Sequence, residues 1–349
     1  MSSDWFSAAA GPREFGRLYP PRPEWLALQS NEPVLEPNLS ITDPHFHFLD
    51  LPGFRYMAED WHADLSSGHR IEATVYAEAQ TGYYKEGPMA LRPVGETDFV
   101  VQETLGRFPM ATGIVGFADL MLGAAVEETL LAHLEAGCGR FKGIRYSLAA
   151  DPNREIGVHY KAPQDVFSSE KFHDGLRALS RLGLSFDAWA FFHQQANIAA
   201  LAHEHPDLTI ICCHSGGLLG FGPYRGRATE VFDTWRANMA QLARCGNVSV
   251  KLGGMLGKLA AYDYLNSPAP EPSEALAACL RPYILTLIDL FGPKRCMFES
   301  NYPVDTVATS YRGLWNIFKR ITHDFSCDDK AELYSGTARR TYRLELESA

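Results

Sequence analysis

His45 and His47 flank Phe46 at the end of a β-branched apolar run, Ile41–Phe46. Side chains two apart in a strand share a face. Both imidazoles, with Asp43 beneath them, should therefore project to one side. Such a pair is a natural ligand set for a divalent metal ion, zinc or manganese. The competing reading is a pair hydrogen-bonded in a core; the place at a strand end favours a site. His214 follows the run Leu208–Cys213 and precedes Gly216 and Gly217, which let the backbone approach a ligand closely. His193, after Leu184–Phe191, is the weakest histidine of the set. Glu299 and Asn301 follow Arg295–Phe298 and are expected on one face. A carboxylate among apolar residues needs a metal, a cation or a proton. Only Glu299 of the two can carry charge or shuttle a proton, so it is the candidate base or ligand, and Asp305 is the next. A structural ion pair with Lys251 or Arg145 is the alternative. Glu78, and with it Gln80, closes the run Ile71–Ala77. Lys142 and Arg145 should point to opposite sides of their strand. Arg145 lies nearer its end and is expected to clamp a substrate carboxylate; an ion pair elsewhere in the barrel is the rival.

These residues need a frame that brings the ends of separate runs together. Eight strand candidates are Ile41–Phe46, Ile71–Ala77, Ala111–Phe117, Arg140–Tyr146, Leu184–Phe191, Leu208–Cys213, Asn247–Lys251 and Arg295–Phe298. Helical patterns follow from the second onward, at Asp98–Arg107, Ala125–Glu135, Glu170–Leu182, Gln195–Glu204, Glu230–Arg244 and Ser273–Phe291. Ser310–Ile321 and Asp328–Arg340 close the chain. Gly137 and Gly183 stand where helix ends call for positive φ, and Ser273 is placed to cap a helix. Eight such units predict a single (β/α)8 TIM barrel over 39–349, with its site at the C-terminal ends of the strands. A doubly wound open sheet is disfavoured because no GxGxxG follows the first strand. Residues 1–38, rich in Pro, Gly and Arg, read as an extended N-terminal arm packed on the barrel or across a subunit interface. The loops 216–227, with Tyr224 and Arg225 as substrate-binding candidates, and 253–272, with Tyr262 and Tyr264, should shape the pocket.

The 349 residues are 46% hydrophobic and 21% charged, an ordinary globular composition. A net charge of −10 argues against nonspecific binding of nucleic acid or acidic membranes. No apolar run approaches the ~18 residues of a membrane span. The beginning of the chain shows no basic stretch leading into an apolar one. The seven cysteines form no CxxC and read as free thiols. The expectation is a cytoplasmic protein acting on a small molecule, with a homo-oligomer compatible with the arm.

The segments HFH, HSGG and FESNYPVD, together with GFADL, FKGIRYS, LSFDAW, FGPYRGR and VSVKLGGM, resemble the amidohydrolase superfamily. The likeness is nearest to the amidohydrolase 2 branch of metal-dependent hydrolases, which includes lactonases and nonoxidative decarboxylases. It runs from about residue 41 to 343. The resemblance implies a distorted (β/α)8 barrel and matches His45, His47, His193 and His214 to metal or substrate ligands. The family's acid after the eighth strand falls on Asn301, a departure that leaves Glu299 to take the role; Cys213 stands where lactonase relatives often have Asp. The implied activity is hydrolysis of a lactone or another cyclic ester by water attack, with one divalent metal or, as in some lactonases of the branch, without metal. Decarboxylation of an aromatic or unsaturated acid is the alternative, and a catalytically inactive binding barrel is a third reading.

Overall fold

The computed structural model describes residues 18–29, 32–153, 156, 162–220, 222–257 and 267–345. Ten strands, numbered in chain order, are Ser40–Phe46 (β1), Leu49–Leu51 (β2), Phe54–Tyr56 (β3), Arg70–Ala77 (β4), Gly113–Gly116 (β5), Phe141–Ser147 (β6), Ser185–Trp189 (β7), Ile210–Cys212 (β8), Val248–Leu252 (β9) and Cys296–Phe298 (β10). Eight form one parallel sheet in the order β1-β4-β5-β6-β7-β8-β9-β10. Every neighbour is also the next barrel strand in sequence. That is the order of a singly wound barrel, with helices in the crossovers. β2 and β3 form a separate antiparallel hairpin.

Closure comes from the segment after β10. Phe46 bridges Tyr302, Asn301 N donates to His45 O at 2.9 Å, and His47 N donates to Tyr302 O at 2.7 Å. The sheet is thus sewn shut at its C-terminal rim, beside the residues singled out for chemistry. The barrel is distorted: β8 and β10 are only three residues long, and the β1–β4 register shifts between Ile41 and Thr42 and again between Asp43 and Phe46.

The expected strands all form: β1 and β4 begin one residue earlier than expected, β6 and β9 are shifted by one residue, and β5, β7, β8 and β10 are shorter. The helix expected at Asp98–Arg107 runs Val94–Glu103, shifted because Pro93 can open a helix but the Gly106 turn cannot continue one. Asp328–Arg340 is divided into Cys327–Ala331, a π turn at Glu332–Gly336, and Thr337–Tyr342. Gly183 has the expected positive φ, 66°. Gly137 does not, at −73°; its Cβ would instead stand 2.6 Å from Phe141 Cβ, so close packing calls for the glycine there. Ser273 lies inside its helix, after Pro272, and does not cap it.

The arm residues that are described lie on the barrel. Trp25 is buried and donates through Nε1 to Ser267 O at 2.9 Å. Residues 1–17 and 30–31 of the expected arm, and 258–266 of the expected pocket loop, including Tyr262 and Tyr264, lie outside the described residues. Among the described residues no helix is long and apolar enough to cross a membrane.

Candidate active site

The barrel interior is charged as well as apolar. Asp43, His45, Asp187, Lys251 and Glu299 are fully buried. Burying charge is costly unless each group is paired, and here the pairs form one connected cluster. Asp187, on β7, receives Lys251 Nζ of β9 at 2.8 Å and the Tyr342 hydroxyl at 2.6 Å. Lys251 Nζ also lies 3.1 Å from His45 Nδ1. Burial by itself would lower the Lys251 pKa, but the charges of Asp187, Cys213 and Glu299 outweigh it and hold the ammonium above the ordinary lysine value.

Glu299 joins two histidines through its two oxygens. Oε1 lies 2.8 Å from His214 Nδ1 and accepts the His214 backbone N–H at 3.1 Å, while Oε2 lies 3.0 Å from His45 Nδ1. The backbone around them is tightly fitted. His214 and Ser215 have left-handed φ of 52° and 53°. Gly254 is also left-handed, and a Cβ there would run into the His214 ring, while one at Gly253 would strike Glu299. The glycine pair after β9 is what allows this carboxylate–imidazole contact.

His47 donates or accepts at two known places. Its Nδ1 lies 2.8 Å from Ala77 O, a carbonyl that can only accept, so Nδ1 carries the hydrogen and Nε2 is a lone pair. His45 Nε2 faces that lone pair at 3.1 Å. Burial, then the Lys251 charge, holds the His45 pKa well below the ordinary imidazole value; burial and Arg145 do the same to His47. Both are neutral imidazoles at neutral pH, the form that binds metal or takes a proton. His214 stands beside them, its ring centre 4.6 Å from that of His45 and 4.9 Å from that of Trp189.

These residues fit a divalent cation. In the tautomer with the hydrogen on His45 Nδ1, beside Glu299 Oε2, the Nε2 lone pairs of His45 and His47 converge, and Ala77 O holds the hydrogen on His47 Nδ1 as an acceptor does for metal-bound imidazoles. One ligand atom from each of His45, His214 and Glu299 also falls within 4.8 Å of the others. Lys251 at His45 Nδ1 supports the other tautomer, in which His45 Nε2–H donates to His47 and no metal is needed.

His193 stands elsewhere. Its Nε2 lies 3.0 Å from Asp151 Oδ2, which also receives the Tyr224 hydroxyl at 2.6 Å. This rim cluster joins the loop after β6 to the Gly-rich loop after β8. Arg225 is exposed. Asn301 turns its amide to Asp305 Oδ1 at 3.1 Å. It also has a left-handed φ of 55°, because β10 ends at Phe298, so the strand period does not extend to it. Arg145 Nη1 donates to Glu78 O at 3.0 Å and lies 3.4 Å from Glu78 Oε1, while its buried Nε has no partner among the described residues. Lys142 points the other way, to Gly139 O at the surface. Burial raises the Glu78 pKa against the pull of Arg145; burial and the Glu78 charge push Glu96 up to about 8.

Asp187, Tyr342 and Asp151 were not singled out in the sequence. The one signal for Asp187 was an acid inside the apolar run SFDAW; Tyr342 lies in a C-terminal helix with no motif.

A family described as amidohydrolase matches residues 42–344. Among curated relatives, protein y4mH of Sinorhizobium fredii is 28% identical over 329 residues, covering 88% of this chain and 99% of that one. The L-fucono-1,5-lactonase of Burkholderia multivorans is 24% identical over 318 residues, covering 86% of this chain and 95% of the lactonase. A crystal structure of an amidohydrolase from Burkholderia multivorans with bound zinc shares the fold at a TM-score of 0.69 and 21% identity, covering 87% of this chain and 99% of that one.

Proposed function

This chain belongs to the amidohydrolase family, and on that premise we propose that it opens a lactone or another cyclic ester by water attack at the barrel mouth. The observation that carries this reading is Glu299, fully buried and held between His45 and His214, one on each oxygen. Glu299 keeps the hydrogen on His214 Nδ1, which leaves His214 Nε2 as the basic nitrogen. That nitrogen takes a proton from the attacking water as the water oxygen bonds to the carbonyl carbon. It returns the proton to the ring oxygen as the carbon–oxygen bond breaks. The carboxylate orients the imidazole and balances its transient charge, the division of labour of a nucleophile–histidine–carboxylate triad. Arg145, with a free Nε, is the group for a substrate carboxylate, and Tyr224 and Arg225 lie on the loop that would border the substrate. His45 and His47 would hold a divalent cation through their facing Nε2 atoms. When bound, it would supply Lewis-acid polarisation of the ester carbonyl. The likeness to lactonases of 24% identity, and to a zinc-containing barrel, supports the reading.

The test is a panel of five- and six-membered sugar and carboxylated lactones followed by pH-stat. Carbon dioxide release from hydroxybenzoic acids is measured in parallel, on the protein as purified, after chelation, and with zinc or manganese added. Acid release that matches lactone consumption is the expected result. Carbon dioxide release with every lactone intact would replace this reading by the decarboxylase one, and inertness towards both panels in all metal states would support the binding barrel.

A further inference from the structure

On the outside of the barrel a second set of ligating atoms lies between the helices Glu170–Arg181 and Gln195–Glu204. His173 Nδ1 is 2.8 Å from His205 Nε2 and 3.4 Å from Glu204 Oε2, and the three atoms all fall within 4.8 Å of one another. The imidazoles are each 8% exposed and the Glu204 side chain 61%, so the set is buried on two sides and open on the third. The orientation of His173 is fixed. Its Nε2 lies 3.1 Å from the Phe167 carbonyl, which can only accept, so Nε2 carries the hydrogen and Nδ1 is a lone pair. That lone pair is aimed at His205 and Glu204. A ring nitrogen tied to a backbone carbonyl while the other faces ligand atoms is the usual setting of a metal-bound histidine. The nearby Arg177 is already held by Glu170 and Asp174, at 2.9 and 2.5 Å, so its charge is balanced.

We propose that His173, Glu204 and His205 form an outer site for one divalent cation of the zinc type, with water in its open position. Two imidazoles and one carboxylate suit zinc and its neighbours and do not suit magnesium or calcium, which take oxygen ligands. The 2.8 Å nitrogen separation is that of a hydrogen bond. Zinc roughly 2.0–2.1 Å from each nitrogen in a tetrahedral site would hold them roughly 3.3 Å apart, so binding asks the pair to open by about half an ångström. The cation would tie the two helices together on the barrel's outer face. Nothing in this proposal depends on what the barrel mouth does.

The experiment uses the full chain, stripped with a chelator and titrated with zinc chloride by calorimetry, with bound zinc counted by elemental analysis after desalting. The natural chain is compared with His205→Gln and Glu204→Ala. Glu204 is exposed, so its variant tests the site even where replacing a buried histidine prevents folding. The natural chain should bind one zinc equivalent more than His205→Gln. Loss of an outer partner of a metal ligand costs about 10–100-fold in affinity, so Glu204→Ala, which removes a ligand, should weaken that equivalent by at least about tenfold. Zinc should also raise the melting temperature of the natural chain more than that of either variant. Equal uptake, affinity and melting shift in the natural chain and Glu204→Ala would overturn the site and leave a histidine pair that only hydrogen-bonds to itself.

Discussion

Glu299 and Asn301 separate two functions that the sequence placed together. Glu299 hydrogen-bonds to His214 and stands 3.0 Å from His45 Nδ1; Asn301 bonds to Asp305 and fills a left-handed turn. Glu299→Gln keeps the size but removes the negative charge that would balance a protonated His214. Proton transfer through a positioned side chain is worth about 10²–10⁴-fold, so turnover of a working lactone should fall by that order. Asn301→Ala should instead act on stability. It loses a buried hydrogen bond, leaves Asp305 with less support and puts alanine at positive φ, together on the order of 1–3 kcal/mol. Urea unfolding with turnover measured on the same samples checks both, and an Asn301→Ala protein of full stability with no turnover would reverse the assignment. Lys251 gives a second prediction. Lys251→Ala strands the Asp187 carboxylate in the barrel, and breaking a buried pair costs about 3–5 kcal/mol. The double change Lys251→Met with Asp187→Leu should regain much of that in denaturant midpoint. HxH, HSGG and FES were legible because polar residues that end apolar runs in a barrel have one place to go. Asp187 and Lys251 were not read as a pair because pairing across β7 and β9 depends on register, and register is not written in either strand alone.

Among the elements, the strands were the most legible. Their β-branched runs are buried on both faces, which makes them continuous in sequence. The helix Ala58–Leu65 and the hairpin before it went unread, and the reason is their brevity: the helix has eight residues, of which only Ala58 and Trp61 are buried. Its start is nonetheless well specified, since the Asp60 carboxylate accepts the Met57 backbone N–H at 2.8 Å. Asp64 near its end has a testable cost. It accepts the Tyr56 hydroxyl at 2.5 Å, yet burial raises its pKa to about 6 from 3.8. Between those values the folded chain holds a proton that the unfolded chain has lost, so stability falls as pH rises from about 4 through 6. Asp64→Asn, which still accepts from Tyr56, has no such fall. At pH 7 it should be the more stable protein by about 1–3 kcal/mol, and the difference should shrink towards pH 4. Urea midpoints at pH 4, 5.5 and 7 read this directly; a difference that does not change with pH would show that Asp64 ionises without penalty.

At the scale of the whole molecule, the arm and the last helices complete a barrel that the eight strands leave weakly joined at one seam. Arm residues reach two helices. Gln29 Nε2 donates to Thr309 Oγ1 at 2.9 Å, and its Oε1 accepts from Ser310 N at 2.9 Å. The Glu32 carboxylate accepts the Ser273 backbone N–H at 2.9 Å, so an acid from the arm serves the start of the Ser273–Phe291 helix that Ser273 was expected to cap itself. Leu35 N donates to Asn316 Oδ1 at 3.0 Å, and Lys319 Nζ donates to Leu35 O and Glu36 O at 2.8 and 2.9 Å. Asn316 and Lys319 are buried on the Tyr311–Ile321 helix, which stands next to the closure through Tyr302 and Tyr311. Removing residues 1–38 would leave these two polar groups without their arm partners and uncover the apolar surface beneath Trp25. Asn316 would be left unpaired, at about 1–3 kcal/mol for a buried polar group, and Lys319 would keep only His69 Nδ1 at 2.9 Å. Even with water taking up part of the loss, the shortened chain should unfold several kcal/mol more easily, a large share of the stability of an ordinary domain. Gel filtration of the natural and shortened chains reads the association state alongside stability. Urea unfolding of the natural and shortened chains, with the slope compared as well as the midpoint, decides the matter: an unchanged midpoint would mean that the arm rests on the barrel without supporting it, and a shift in association state would move its role to a subunit interface.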